Sequence, residues 1–184
     1  MAVPESSSRT GALVRVPMSW EEYEALEPDA RHEYIEGCLV VNPRPTGEHQ
    51  VALRRLTRLL EDAVDPGYEV YMEWAWKPGA DEWAPDIMVC PRQKVVRFAG
   101  TPELIVEILS TNRARDLVMK PAKYAKAGLP RYWVFDPENL VLTAFVLRDG
   151  AFVDVAEVGP DDEVALDFGA GTVTVNPRRL MADR

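Results

Sequence analysis

The chain has 184 residues, a formal net charge of −9 and 47% hydrophobic residues, enough to bury the core of one domain. Its apolar runs fall far short of the roughly 20 residues that span a bilayer. Its acidity argues against a generic nucleic-acid binder, because non-specific affinity rests on neutralising phosphates. The two cysteines, Cys38 and Cys90, lack metal-site spacing and form no disulfide framework, so the expected compartment is a reducing cytoplasm.

Residues 1–16 open polar and Ser-rich and read as a disordered leader, with one domain expected over 17–184. Ser19-Trp20-Glu21-Glu22 carries the spacing of a capping box and starts a short helix. A strand pair follows over residues 33–41, turning near Gly37. Residues 46–64 predict a long helix, with Leu53, Leu56, Leu60 and Val64 on one face and Arg54, Arg55, Arg58 and Asp62 on the other. Strands are expected near 69–77, 86–90 and 103–109. A helix within 113–127 ends at Gly128, a suitable left-handed cap, and leads to a strand over 131–136. Residues 140–147 and 151–156 form a hairpin about Asp149-Gly150, and small β pieces surround Gly169 and Gly171 in the tail.

Two residues break this apolar pattern. Asp86 stands in Trp-Ala-Pro-Asp-Ile-Met-Val-Cys and Glu107 in Leu-Ile-Val-Glu-Ile-Leu. An ionised carboxylate in a buried run costs several kcal/mol unless a cation, a donor or solvent compensates it. Their separation suits adjacent antiparallel strands with both acids at one edge of the sheet. Residues 112–131 then carry a local charge of +5, from Arg113, Arg115, Lys120, Lys123, Lys126 and Arg131 against Asp116. Two hard oxygen ligands near a lysine are the minimum equipment for metal-assisted attack on a phosphodiester. The competing use of Glu107 is a buried ion pair with a cation such as Arg131. Glu33 and Glu36 are candidates for a further carboxylate, and His49 for a contact to phosphate or bound water.

The ordered series Glu33-Tyr-Ile-Glu-Gly37, Pro85-Asp86, Glu107-Ile-Leu-Ser110, Asp116-Leu-x-x-Lys120 and Tyr124-Ala-x-Ala-Gly128-x-x-x-Tyr132-Trp133 resembles the Uma-type family of restriction-endonuclease-like proteins, within the PD-(D/E)XK nuclease superfamily. The resemblance covers about residues 17–155. It implies an α/β fold of the restriction-endonuclease-like type: a central mixed sheet flanked by two helices, with peripheral β-hairpins. It implies metal-binding acids at Asp86 and Glu107, with a main-chain carbonyl near Ile108. The catalytic lysine falls at Lys120, since Leu109 holds the position two residues after the glutamate. The implied chemistry is phosphodiester hydrolysis with Mg²⁺ or Mn²⁺, on DNA. Arg113, Arg115, Lys123 and Lys126 are the expected phosphate contacts. The acidic surface favours a homodimer or a helper module, because one small acidic domain grips DNA weakly. The alternative is a nuclease-like fold serving as a non-catalytic binding or regulatory module.

Overall fold

The computed structural model describes residues 14–27, 29, 31–109 and 119–182. Arg113, Arg115 and Asp116, and the first part of the 113–127 stretch expected to contain a helix, lie outside these residues. The expected leader runs into β1 (Val14–Pro17), and the rest of it lies outside the described residues. A short helix α1 (Trp20–Glu24) follows, and Ser19 and Glu22 close the predicted capping box. Strands β2 (His32–Ile35) and β3 (Cys38–Val41) join β1 in a small antiparallel sheet of order β1-β3-β2. The turn between them places Glu36 and Gly37 at positive φ.

Helix α2 (Gly47–Glu61) is capped by the Thr46 side chain, which accepts from the His49 amide. It buries Ala52, Leu53, Leu56 and Leu60 along one stripe, the predicted amphipathic face. The central sheet is mixed and six-stranded, ordered β4 (Tyr68–Met72), β5 (Ile87–Pro91), β6 (Leu104–Ile108), β7 (Arg131–Asp136), β8 (Val141–Arg148) and β9 (Ala151–Val158). Neighbours run antiparallel except β6 and β7, which are parallel. Their connection includes α3 (Lys120–Lys126). The β8–β9 hairpin turns where predicted, with both Asp149 and Gly150 at positive φ, the backbone a two-residue turn of this hand needs. A final hairpin of β10 (Val164–Asp167) and β11 (Thr172–Val175) and helix α4 (Pro177–Met181) complete the described fold. Among the described residues, no helix is long and apolar enough to cross a membrane.

The strand period of two divides the core. Ile87 and Val89 of β5, and Leu104, Val106 and Ile108 of β6, pack with the α2 stripe, Trp133 and Phe135. Met88, Cys90, Ile105, Leu109, Tyr132 and Val134 point the other way and pack with Tyr124 of α3, Trp76 and Trp83. Both faces are covered, which explains why β5 and β6 read as continuous apolar runs. One expected element is shorter than its pattern. The 69–77 strand stops at Met72, because Glu73 turns to φ 49°; Trp76 and Trp83 then meet in an isolated bridge. The second helix has Lys120 as its first residue, and Pro121 sits in the first turn, where its missing N–H costs nothing.

Cys90 is fully buried in β5, and that burial pushes its thiol up to about 12. An unfolded thiol titrates near 8.5, so above that pH the native chain keeps a proton the unfolded chain has lost. Stability therefore falls as pH rises, by about 1.4 kcal/mol per unit from this group alone. Urea melts from pH 8 to 11 should show Cys90→Ala losing stability more gently than the parent.

Candidate active site

The site grows from the middle strands. The last pairs of the β5–β6 ladder set Ile87 against Val106, so one step further Asp86 stands across from Glu107. Glu107 shares the face of Ile105 and Leu109, toward α3, and is 2% exposed. Its Oε2 accepts from Lys120 Nζ at 2.6 Å, and its Oε1 accepts from the Tyr124 hydroxyl at 2.8 Å. Lys120 is itself 5% exposed and Tyr124 fully buried. Lys120 and Tyr124 are one helical turn apart, so α3 delivers both donors from one face to the same carboxylate. Burial is the main cause that lifts the Tyr124 hydroxyl well above the usual tyrosine range, followed by the charges of Glu107 and Glu33. Tyr124 therefore stays protonated and remains a donor. Arg131, the alternative partner considered for Glu107, pairs instead with Asp167 at 2.8 Å and Glu103 at 3.5 Å.

Asp86 lies immediately before β5, at the end of the sheet. Its Oδ2 accepts from the Ile108 amide at 2.7 Å and lies 3.2 Å from His49 Nε2. Among the described residues its Oδ1 has no hydrogen-bond partner. Ile108 follows Glu107 directly, so the same β6 backbone anchors both acids. His49 reaches Asp86 because the Thr46 cap starts α2 at that point. Glu73, which the sequence reading did not single out, joins this end: its amide donates to the Asp86 carbonyl at 3.1 Å. Burial raises its carboxyl, and the Asp86 charge adds to the shift while His49 opposes it.

The other candidates separate clearly. Glu33 is fully buried in β2; its Oε1 accepts from the Ala84 amide, and its charge reaches Tyr124. Glu36 is exposed at a turn and bonds Lys123 at 2.7 Å, which holds its carboxyl below the usual range. Lys123 also meets Asp81 at 3.3 Å, so two acids already neutralise it. Lys126 is exposed at the end of α3. The structure thus brings together Glu107, Lys120, Tyr124 and Glu33 on the α3 side, with Asp86, His49 and Glu73 at the adjoining sheet end. Helical spacing places Tyr124 on the face against the sheet, and its separation of four from Lys120 was the signal for its role beside that lysine.

The donor set suits a hard cation. Mg²⁺ is commonly held by one or two carboxylates with the remaining positions taken by water and phosphate. Among the described residues Asp86 Oδ1 accepts no hydrogen bond, and a carboxylate oxygen can take more than one donor or ligand. Among the described residues, no group of three or more His, Cys, Asp and Glu side chains is arranged to hold a metal.

The Glu107–Lys120 pair also governs stability. Removing one member of a buried pair typically costs about 3–5 kcal/mol, whereas replacing both with neutral groups costs little. Lys120→Met should lower unfolding free energy by an amount in that range, and Glu107→Gln in the Lys120→Met background should restore most of it. A urea-denaturation double-mutant cycle at pH 7 measures both.

Comparison with known proteins fits this architecture. A crystal structure of "a putative nuclease belonging to DUF820" from Anabaena variabilis ATCC 29413 is similar, with a TM-score of 0.74 and 22% identity over 90% of this chain and 98% of that one. At that identity the likeness speaks for the fold. A search of the curated proteins finds no match. The family model of Uma2, described as "Putative restriction endonuclease", matches residues 20–174, most of the chain. On that match, and with its mixed sheet built on the same fold as a nuclease-family structure, the chain belongs to the Uma2 family.

Proposed function

We propose that this protein is a metal-dependent endonuclease that hydrolyses phosphodiester bonds in DNA, with Mg²⁺ or Mn²⁺ held between Asp86 and Glu107. One observation carries the reading: the Lys120 ammonium lies 2.6 Å from the Glu107 carboxylate, inside the fold, one ladder step from Asp86. A buried ion pair rarely earns its place through stability alone, since an apolar pair of the same volume does as well. Two acids and a lysine converging at a sheet end in an Uma2-family chain are better explained by chemistry on a phosphate.

The residues divide the work. Asp86 and Glu107 would supply the two carboxylate ligands, with the Ile108 amide and His49 holding Asp86 in place. When bound, the cation supplies Lewis acidity and a place for the attacking water. Lys120 orients that water and offsets the negative charge that grows on the phosphate as the bond forms. Lys126, with Arg113 and Arg115, supplies phosphate contacts; Lys123 joins them only by leaving Glu36 and Asp81. A homodimer would double these contacts, and the chemistry suits a cytoplasmic protein.

A second reading, a nuclease-like fold that binds without cutting, draws on the depth of the Glu107–Lys120 pair and the charge of −9. Single-turnover assays on labelled duplex and single-stranded DNA, with Mg²⁺ and with Mn²⁺, separate the two. The nuclease reading expects cleavage by the parent, none by Glu107→Gln, and a loss of about 10²–10³ for Lys120→Ala. Binding without cleavage supports the second reading. Equal cleavage by parent and Glu107→Gln identifies a contaminant and defeats the first.

A further inference from the structure

We propose that Tyr124 is a positioning residue for Glu107: its hydroxyl fixes the orientation of the carboxylate that receives the cation. The inference rests on the metal-dependent reading above and extends it to a residue outside the acid–acid–lysine set.

Three features of the geometry argue for this. First, the two oxygens of Glu107 are held separately, Oε2 by Lys120 at 2.6 Å and Oε1 by Tyr124 at 2.8 Å. A carboxylate gripped at both oxygens cannot rotate about its terminal bond, so the direction it presents to a cation is fixed. Lys120 alone would leave that rotation free, because an ammonium is a point donor on a flexible stem. Second, the hydroxyl has no freedom of its own. The Tyr124 ring is fully buried and meets Trp76, Trp83 and Tyr132 edge to face, with centroids 5.3, 5.4 and 5.6 Å away. The rings on three sides fix the phenol oxygen as firmly as a backbone atom. Third, phenylalanine would fill this aromatic box equally well without a polar atom to satisfy. The chain instead buries a hydroxyl and aims it at the one carboxylate in β6. Groups that orient ligands in this way commonly contribute 10–100-fold to metal affinity or activity.

The fold carries its own control. Tyr23 donates to Glu82 at 2.8 Å in another buried tyrosine–carboxylate bond. Glu82 pairs with Arg97 rather than with Lys120. Deleting either hydroxyl removes a buried hydrogen bond of the same type, but only one of them touches a proposed ligand.

The test compares the parent, Tyr124→Phe and Tyr23→Phe. Thermal melts without metal establish that each variant is folded, and phenylalanine keeps the ring in its box. Calorimetric titration with Mn²⁺ alone, in the absence of nucleic acid, is the decisive reading. Single-turnover rates against Mn²⁺ concentration accompany it. Tyr124→Phe should bind Mn²⁺ about 10–100-fold more weakly, and its rate should recover substantially at saturating metal. Tyr23→Phe should melt earlier than the parent yet keep its Mn²⁺ affinity. Parent-like Mn²⁺ affinity in folded Tyr124→Phe overturns the positioning role while leaving the metal reading intact. An equal loss of affinity in both variants also overturns it, since general softening would then be the cause. A parent protein that binds no Mn²⁺ defeats the metal reading, and this inference with it.

Discussion

A single carboxylate in the wrong place organises this fold. Glu107 occupies the middle of an apolar strand with both sheet faces covered, where an uncompensated charge would cost several kcal/mol. Everything near it is arranged to meet that cost. Helix α3 begins at Lys120, so that the lysine enters at the first helical position. One turn on, the same helix supplies the Tyr124 hydroxyl. The aromatic packing of Trp76, Trp83 and Tyr132 sets where that hydroxyl sits. Beyond the break after β4 at Glu73, an isolated bridge between Trp76 and Trp83 sets two of these rings side by side.

The second acid is held by different physics. Asp86 stands just outside β5, partly open to solvent, with the amide of Ile108 and the ring of His49 on one oxygen. One sheet end thus contains a buried carboxylate held at both oxygens and a more exposed one held, among the described residues, at one. Such asymmetry would suit the proposed cation, which must keep part of its water: the buried carboxylate would fix its position and the more exposed one would tolerate exchange. In the proposed reaction Lys120 spans both needs, neutralising Glu107 in the resting protein and facing the phosphate during the reaction.

Much of this was legible in the residues, for reasons that can be named. The period of α2, the Ser19 capping box, the Asp149-Gly150 turn and the 131–136 strand are local signals, and the structure forms each of them. The two carboxylates were conspicuous because they violate their surroundings. What local patterns could not supply was tertiary choice. Lys123 sits in the same basic stretch as Lys120, yet the β2–β3 turn and Asp81 capture it, whereas Lys120 turns inward. Glu33 and Glu36 look equivalent in sequence, three apart around a turn, but alternation buries the first and the turn exposes the second. Glu73 escaped notice because a surface-like acid after a strand has no signature until the sheet places it beside Asp86. The start of α3 follows from Pro121, which a helix interior would reject but the first turn accommodates.

The central claim is that Asp86 and Glu107 share one divalent cation. A crystal grown with Mn²⁺ and measured near the manganese absorption edge tests it most directly. The account predicts one anomalous peak between the two side chains, about 2.0–2.4 Å from an oxygen of each, with Lys120 and Tyr124 still on Glu107. A fully occupied peak elsewhere, or none at millimolar Mn²⁺ with both carboxylates ordered, would contradict it.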